Sequence, residues 1–67
     1  MELLCIKHRH NYIRLLEEGY QLTDMNRASV YPLSEVEKVR TSFRTLGKEL
    51  DTLKIVKLTI LEEDFEQ

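Results

Sequence analysis

The sequence predicts a small α+β domain, with one amphipathic helix on one face of a three- or four-stranded, mostly antiparallel sheet in ββ(β)αβ order. Three observations predict it. Ser34 is followed three residues later by Glu37, which is a capping box at the start of a helix. Apolar residues then recur three and four apart from Val36 to Leu50, as on one face of a helix. Residues 55–61 finally read as a strand.

The chain of 67 residues is expected to form a single domain, residues 1–67, with an acidic tail at 62–67. Chains of this size bury only about 60% of their unfolded surface. They usually need a disulfide, a metal or a partner subunit for stability. The single cysteine, Cys5, excludes an internal disulfide and suits a reducing compartment. The net charge of −2 gives no global signature of nucleic-acid binding.

The N-terminal apolar run is too short for a signal peptide, and no stretch approaches the roughly 20 apolar residues of a membrane helix. We therefore expect a soluble, cytoplasmic protein without a membrane contact.

The first half of the chain is predicted to form a hairpin. Residues 3–7 are rich in apolar side chains and lack turn formers, so they read as a strand, and the polar run 8–11 reads as its connection. Residues 12–16 read as the second strand, although residues 12–18 also fit a helical period, so both alternatives stay open here. Gly19 can adopt positive φ and end this element. Residues 20–23 extend the sheet.

The second half is predicted to hold the helix and the last strand. Residues 24–27 form a loop or one helical turn, and residues 28–31 form a short strand that Pro32 ends. The helix runs from 35 to 46, or to 50 if Gly47 lies inside it. The last strand, 52–61, pairs with the first. The residues expected to pack across the interface are Val36, Val39, Phe43 and Leu46 of the helix and Leu4, Ile6, Val56, Leu58 and Ile60 of the strands.

The strands carry apolar residues on both faces, whereas one helix covers only one. Leu3, Cys5, Ile55 and Leu61 are expected on the second face. An exposed apolar patch of this kind usually marks an interface. Self-association with two-fold symmetry would cover it, so we expect a homodimer.

Three residues of metal-ligating types lie close in sequence, Cys5, His8 and His10. Their spacing matches no closed zinc pattern, and a continuing strand would direct Cys5 to the face opposite both histidines. The paired carboxylates are neighbours in sequence only, and there is no glycine-rich phosphate loop. We expect no metal, no cofactor, no catalytic residue and no enzymatic activity.

Two basic segments are candidate binding surfaces. Arg40, Arg44 and Lys48 are spaced four apart and form a stripe on the helix. The run 7–14 interleaves basic residues with Tyr12, as single-strand binders do. Solvated helix faces also carry such cations, so nucleic-acid binding is the alternative function and protein binding is the preferred one.

The acidic tail surrounds one aromatic residue: its first members are Glu62, Glu63, Asp64 and Phe65. It could bind a basic groove of a partner, and the other interpretation is a frayed, solubilising terminus.

The stretch from Tyr12 to Tyr31, in particular the run GYQLTDMNRASVY ahead of the Ser/Glu-capped helix, resembles a pattern in small phage- and prophage-encoded proteins of Gram-positive bacteria. In that pattern a hairpin displaying a tyrosine precedes a T-D-x-x-x-A-x-x-Y/F segment, a helix and a final strand. The resemblance covers most of the chain and supplies no catalytic or binding residue. It implies a protein of viral origin that binds and inhibits or modulates a host or defence protein in the host cytoplasm.

Overall fold

The computed structural model describes residues 1–61 and 63–66, and it has the predicted α+β fold. The strands are β1 (Glu2–His8), β2 (Asn11–Leu16), β3 (Gly19–Thr23), β4 (Tyr31–Pro32) and β5 (Leu53–Thr59), and the helix is α1 (Val36–Leu46). Two 3-10 turns, Met25–Arg27 and Leu33–Glu35, lie between β3 and α1. Within the described ranges no helix is long and apolar enough to cross a membrane.

The sheet is antiparallel and is built around β1. On one side β5 pairs with the whole of β1, from Glu2 opposite Thr59 to His8 opposite Leu53. On the other side β2 pairs with the end of β1 near the hairpin, and β4 pairs with its beginning. β3 extends the sheet beyond β2. The predicted pairing of the last strand with the first is confirmed.

Two connections in the first half explain the hairpins. Arg9 adopts a left-handed conformation, φ 56°, in the turn between β1 and β2. Gly19 has a φ of 152° where β3 begins, which confirms the prediction that it adopts positive φ at the end of the preceding element. Of the two alternatives for residues 12–18, the strand is confirmed, since β2 ends at Leu16.

The helix begins differently from the predicted capping box. Its N-cap residue is Glu35, which makes no side-chain cap hydrogen bond, because the chain enters α1 through the 3-10 turn that follows Pro32. Glu37 instead accepts a hydrogen bond of 2.6 Å from the guanidinium of Arg40. Of the two ends left open by the sequence, 46 and 50, the structure has the first, with Gly47 as the C-cap residue.

The core lies between α1 and one face of the sheet. Its buried residues are Leu4, Ile6, Ile13, Val39 and Leu46. Partly buried side chains surround them: Leu15, Tyr20, Tyr31, Val36, Phe43, Leu50, Leu53 and Ile55. The predicted apolar face of the helix is therefore confirmed, and it continues to Leu50, whose N–H donates to the carbonyl of Leu46 at 2.9 Å.

The orientation predicted for β5 is wrong. Ile55 lies directly opposite the buried Ile6 and packs against the core, whereas Val56 lies opposite Cys5. Directly opposed residues share a face of the sheet, and neighbours along a strand alternate. Val56 and Leu58 therefore lie on the face turned away from the helix, and Ile60 follows the end of the strand.

Candidate functional site

The most distinctive surface is the sheet face turned away from α1, which we call the open face. The strand register assigns residues of alternate positions to it. In β1, β2 and β5 they are Leu3, Cys5, Lys7, Tyr12, Arg14, Leu16, Lys54, Val56 and Leu58. Together they form a surface that is apolar at one end and basic at the other.

The basic end is a row of side chains that crosses four strands. Lys54 lies opposite Lys7, Lys7 opposite Tyr12, and Tyr12 opposite Thr23. The ammonium of Lys7 lies 5.3 Å from the centroid of the Tyr12 ring, within cation–π range. Arg14 follows two residues along β2. Every charged residue that the strand register assigns to the open face is thus basic.

The apolar end of the open face is a strip made by Leu3, Val56 and Leu58. Leu3 lies opposite Leu58, and Val56 lies opposite Cys5. The three strip residues are only partly buried, although Cys5 between them is 1% exposed. Apolar area that the fold leaves in contact with water gives this face a free-energy gain on binding a partner.

A depression of about 230 Å³ adjoins the basic row. It is lined by Lys7, Arg9, Thr52, Lys54 and Val56. Arg9 forms an exposed ion pair of 3.4 Å with Asp51, beyond the lining residues. The depression therefore combines several cations with an apolar contact, which is a chemistry suited to an anionic group attached to an apolar one.

The structure does not bring the four predicted dimer-face residues together. Leu3 lies on the open face, but Cys5 is buried and Ile55 packs on the helix side. Leu61 lies beyond β5 and is 82% exposed. A dimer itself stays a prediction, and its face would have to be built from Val56 and Leu58 in place of Ile55.

The three candidate metal ligands also stay apart. Cys5 lies on the open face, His8 lies on the helix side of β1, and His10 is exposed in the hairpin turn. In the part of the chain that the structure describes, no group of three or more histidine, cysteine, aspartate or glutamate side chains could hold a metal ion.

His8 is a buried polar residue with an unsatisfied atom. The residue is 9% exposed, and its Nδ1 has no hydrogen-bond partner among the described residues. Because an apolar replacement removes this unsatisfied group, we expect His8→Leu to raise the free energy of unfolding by about 1 kcal/mol. Urea denaturation measures the change, and exposed His10→Leu is the control, expected within about 0.5 kcal/mol of the parent. A loss of stability in His8→Leu would contradict the prediction.

Burial raises the pKa of the Cys5 thiol, and the nearby charge of Lys7 opposes this shift without cancelling it. We therefore expect the native protein to react slowly with a disulfide reagent at pH 8 and to react at once when unfolded in urea. Because the raised pKa belongs to the folded state, the stability it contributes is present below the ordinary thiol pKa and is lost as pH rises above it. A fast reaction of the folded protein at pH 8 would contradict the burial of the Cys5 thiol.

The predicted helix stripe is exposed but discontinuous. Arg40 forms an ion pair of 2.6 Å with Glu37, and Lys48 lies beyond the end of α1. Arg44 is exposed in the last turn of the helix. The stripe therefore presents fewer free charges than its spacing indicates.

The acidic tail is described only in part, since Glu62 and Gln67 lie outside the described residues. Glu63, Asp64 and Glu66 are exposed and belong to no helix or strand, and Phe65 is 94% exposed.

A second groove, of about 300 Å³, lies between the β2–β3 hairpin and α1. Its lining includes Leu15, Leu16, Tyr20 and Leu46, together with three hydroxyl side chains of the helix and Glu49. It brings no cluster of charged groups together, so its chemistry is that of an apolar surface with hydroxyl edges.

The sequence did not indicate Lys54 as a site residue, and it placed Val56 wrongly on the helix side of the sheet. Apolar residues occur on both faces of β5, so the alternation of apolar and polar residues along the strand does not reveal which face is buried. The positions of its lysines give no signal either, because Lys57, which forms an ion pair of 3.1 Å with Glu2, and Lys54 lie on opposite faces of the sheet.

No family model, no curated protein and no solved structure shows significant similarity to this chain.

Proposed function

We propose that this chain is a non-enzymatic protein–protein interaction module whose open face binds a partner protein. The observation that carries the proposal is the open face itself, where the strip of Leu3, Val56 and Leu58 remains partly exposed beside a basic row. Protein interfaces combine apolar contacts with polar ones, which the adjoining apolar strip and basic row would supply here. The partner should therefore present an apolar group flanked by carboxylates.

A non-enzymatic role is supported by the separation of the groups that could do chemistry. Cys5 belongs to the face turned away from the helix and is buried there, whereas His8 lies on the helix side. The two side chains therefore form no nucleophile–base pair. A buried free thiol also suits a reducing compartment, so the proposal places the protein in the cytoplasm. Action on a host or defence protein, as the resemblance to small phage proteins implies, belongs to the same proposal.

The experiment is a pull-down from bacterial lysate with the tagged full chain, with and without nuclease, read by mass spectrometry. We expect one protein to be retained in near-equal amount after nuclease treatment and to be lost with Val56→Asp. Arg44→Asp, an exposed change on the helix side, is the control and should retain it. Equal retention by Val56→Asp and the parent chain would refute the open face as the binding surface.

The basic row favours nucleic acid as a second candidate partner. Lys7, Arg14 and Lys54 are basic, and Tyr12 lies among them. Phosphate binding of this kind loses affinity steeply as salt rises. Retained material that disappears with nuclease would support this candidate over a protein partner.

A further inference from the structure

Lys7 and Lys54 oppose each other directly across β1 and β5. Like charges in this position destabilise a sheet. Among the described residues neither ammonium forms an ion pair, although the other lysine of β5, Lys57, is paired with Glu2 at 3.1 Å. An anion bound in the depression that both lysines line would supply the ion pairs that the described residues do not give them, so this pair is suited to a ligand that brings negative charge.

The surroundings of the pair favour carboxylates of a polypeptide over phosphates of a nucleic acid. The depression beside the pair includes Val56, and the apolar strip continues from there. Tyr12 is the one aromatic residue that the strand register assigns to the open face, and the ammonium of Lys7 already lies over its ring. Single-strand binders use several free aromatic rings for stacking, and the chain as a whole is acidic, with a net charge of −2.

The chain itself carries a segment with the required chemistry. Residues 63–66 are Glu-Asp-Phe-Glu, which places three carboxylates around one aromatic side chain. Phe65 is 94% exposed, and the segment belongs to no helix or strand. This combination matches a basic depression that adjoins an apolar strip.

The position of this segment indicates a second copy and not the same copy. The N–H of Ile60 donates to the carbonyl of Met1 at 2.8 Å, which fixes the exit of the tail at the end of the sheet opposite the lysine pair. Thr59 lies five positions after Lys54 in β5, roughly 17 Å away at the rise of a strand. The tail would have to reverse direction to reach the lysines of its own chain. In a second copy packed antiparallel on the open face, the lysine pair of that copy lies at the end of the sheet where the tail of the first copy leaves.

We infer that the acidic segment 63–66 of one copy binds the Lys7–Lys54 pair of a second copy, so that two chains form a reciprocal dimer through their open faces. The arrangement is isologous, since each copy gives a tail and receives one. It also brings the two apolar strips toward each other. The inference rests on the proposed function, because it names a second copy as one occupant of the open face. A different partner would then compete with self-association.

The test is a set of charge reversals in the full chain, read as molar mass by light scattering after gel filtration and by sedimentation. The parent should be a dimer at low salt. Lys7→Glu with Lys54→Glu should be monomeric, and so should Glu63→Lys with Asp64→Lys. An equimolar mixture of these two variants should associate again, because the reversed charges complement each other. Arg44→Glu with Lys48→Glu matches the first variant in charge change and should remain a dimer.

A second measurement uses a synthetic peptide of residues 60–67 as the probe, titrated against the tail-reversed variant. We expect saturable binding that is about tenfold weaker with the lysine-reversed variant, since two exposed ion pairs are lost. A thymidine octanucleotide is titrated in parallel. Binding of the oligonucleotide without the peptide would overturn the inference in favour of nucleic acid.

A monomeric parent chain at 100 µM, or a dimer that survives either charge reversal, would also overturn it. Circular dichroism checks that each variant is folded. These failures leave the proposed function intact as long as Val56→Asp still abolishes capture of the lysate protein, so the two proposals fail separately.

Discussion

Replacing Ile13 with alanine is expected to lower the free energy of unfolding by about 2–5 kcal/mol, the range for deleting a buried isoleucine side chain. Ile13 is 1% exposed and belongs to the central cluster between the sheet and α1. A single core in a chain of this length rarely supplies more than about 3–5 kcal/mol in total. Most of the Ile13→Ala protein should therefore be unfolded at 25 °C, which circular dichroism and urea denaturation would show.

The matched control is Leu22→Ala. Leu22 lies directly opposite Ile13 in β3 and shares its face of the sheet, yet it is 46% exposed. Its replacement deletes a side chain of the same size, but leucine is not β-branched and β3 is the outer strand, so the loss of strand propensity is smaller than for Ile13. We expect a loss of about 1 kcal/mol or less. Equal losses in the two variants would show that Ile13 is not a core residue.

The helix and its packing could be predicted from the sequence because α1 carries one apolar face. Val39 and Leu46 are buried as the spacing predicts, and polar residues occupy the remaining faces. The capping box could not be predicted correctly, since it depends on how the chain arrives. Pro32 directs the chain into a 3-10 turn, and Ser34 lies within that turn and not at the N-cap.

The candidate site was only half predictable. Lys7 and Tyr12 were recognised as part of a basic and aromatic segment, but their partner Lys54 was not. Cross-strand neighbours depend on the register between β1 and β5, which are separated by more than 40 residues in sequence. A shift of one residue moves every side chain of a strand to the other face. The sequence therefore predicts the composition of the site better than its geometry.

The assigned register makes opposite predictions for two adjacent residues of β5. Ile55 packs against the core opposite Ile6, and Val56 lies on the open face opposite Cys5. We expect Ile55→Asp to unfold the domain, at a cost of about 3 kcal/mol or more, because it places an unpaired charge against the core. Val56→Asp should leave the domain folded, since its carboxylate lies on the lysine-bearing face of the sheet.

The two changes lie in the same strand and differ chiefly in the face of the sheet, since isoleucine exceeds valine by only one methylene. Both replace a β-branched residue with aspartate in the same strand, so both lose β-propensity, a term that spans about 1 kcal/mol. The difference between their free energies of unfolding therefore isolates burial. If Val56→Asp unfolds the domain and Ile55→Asp leaves it native, the faces assigned to β5 are reversed. Lys54 would then lie on the helix side, and the open face would not carry the lysine pair.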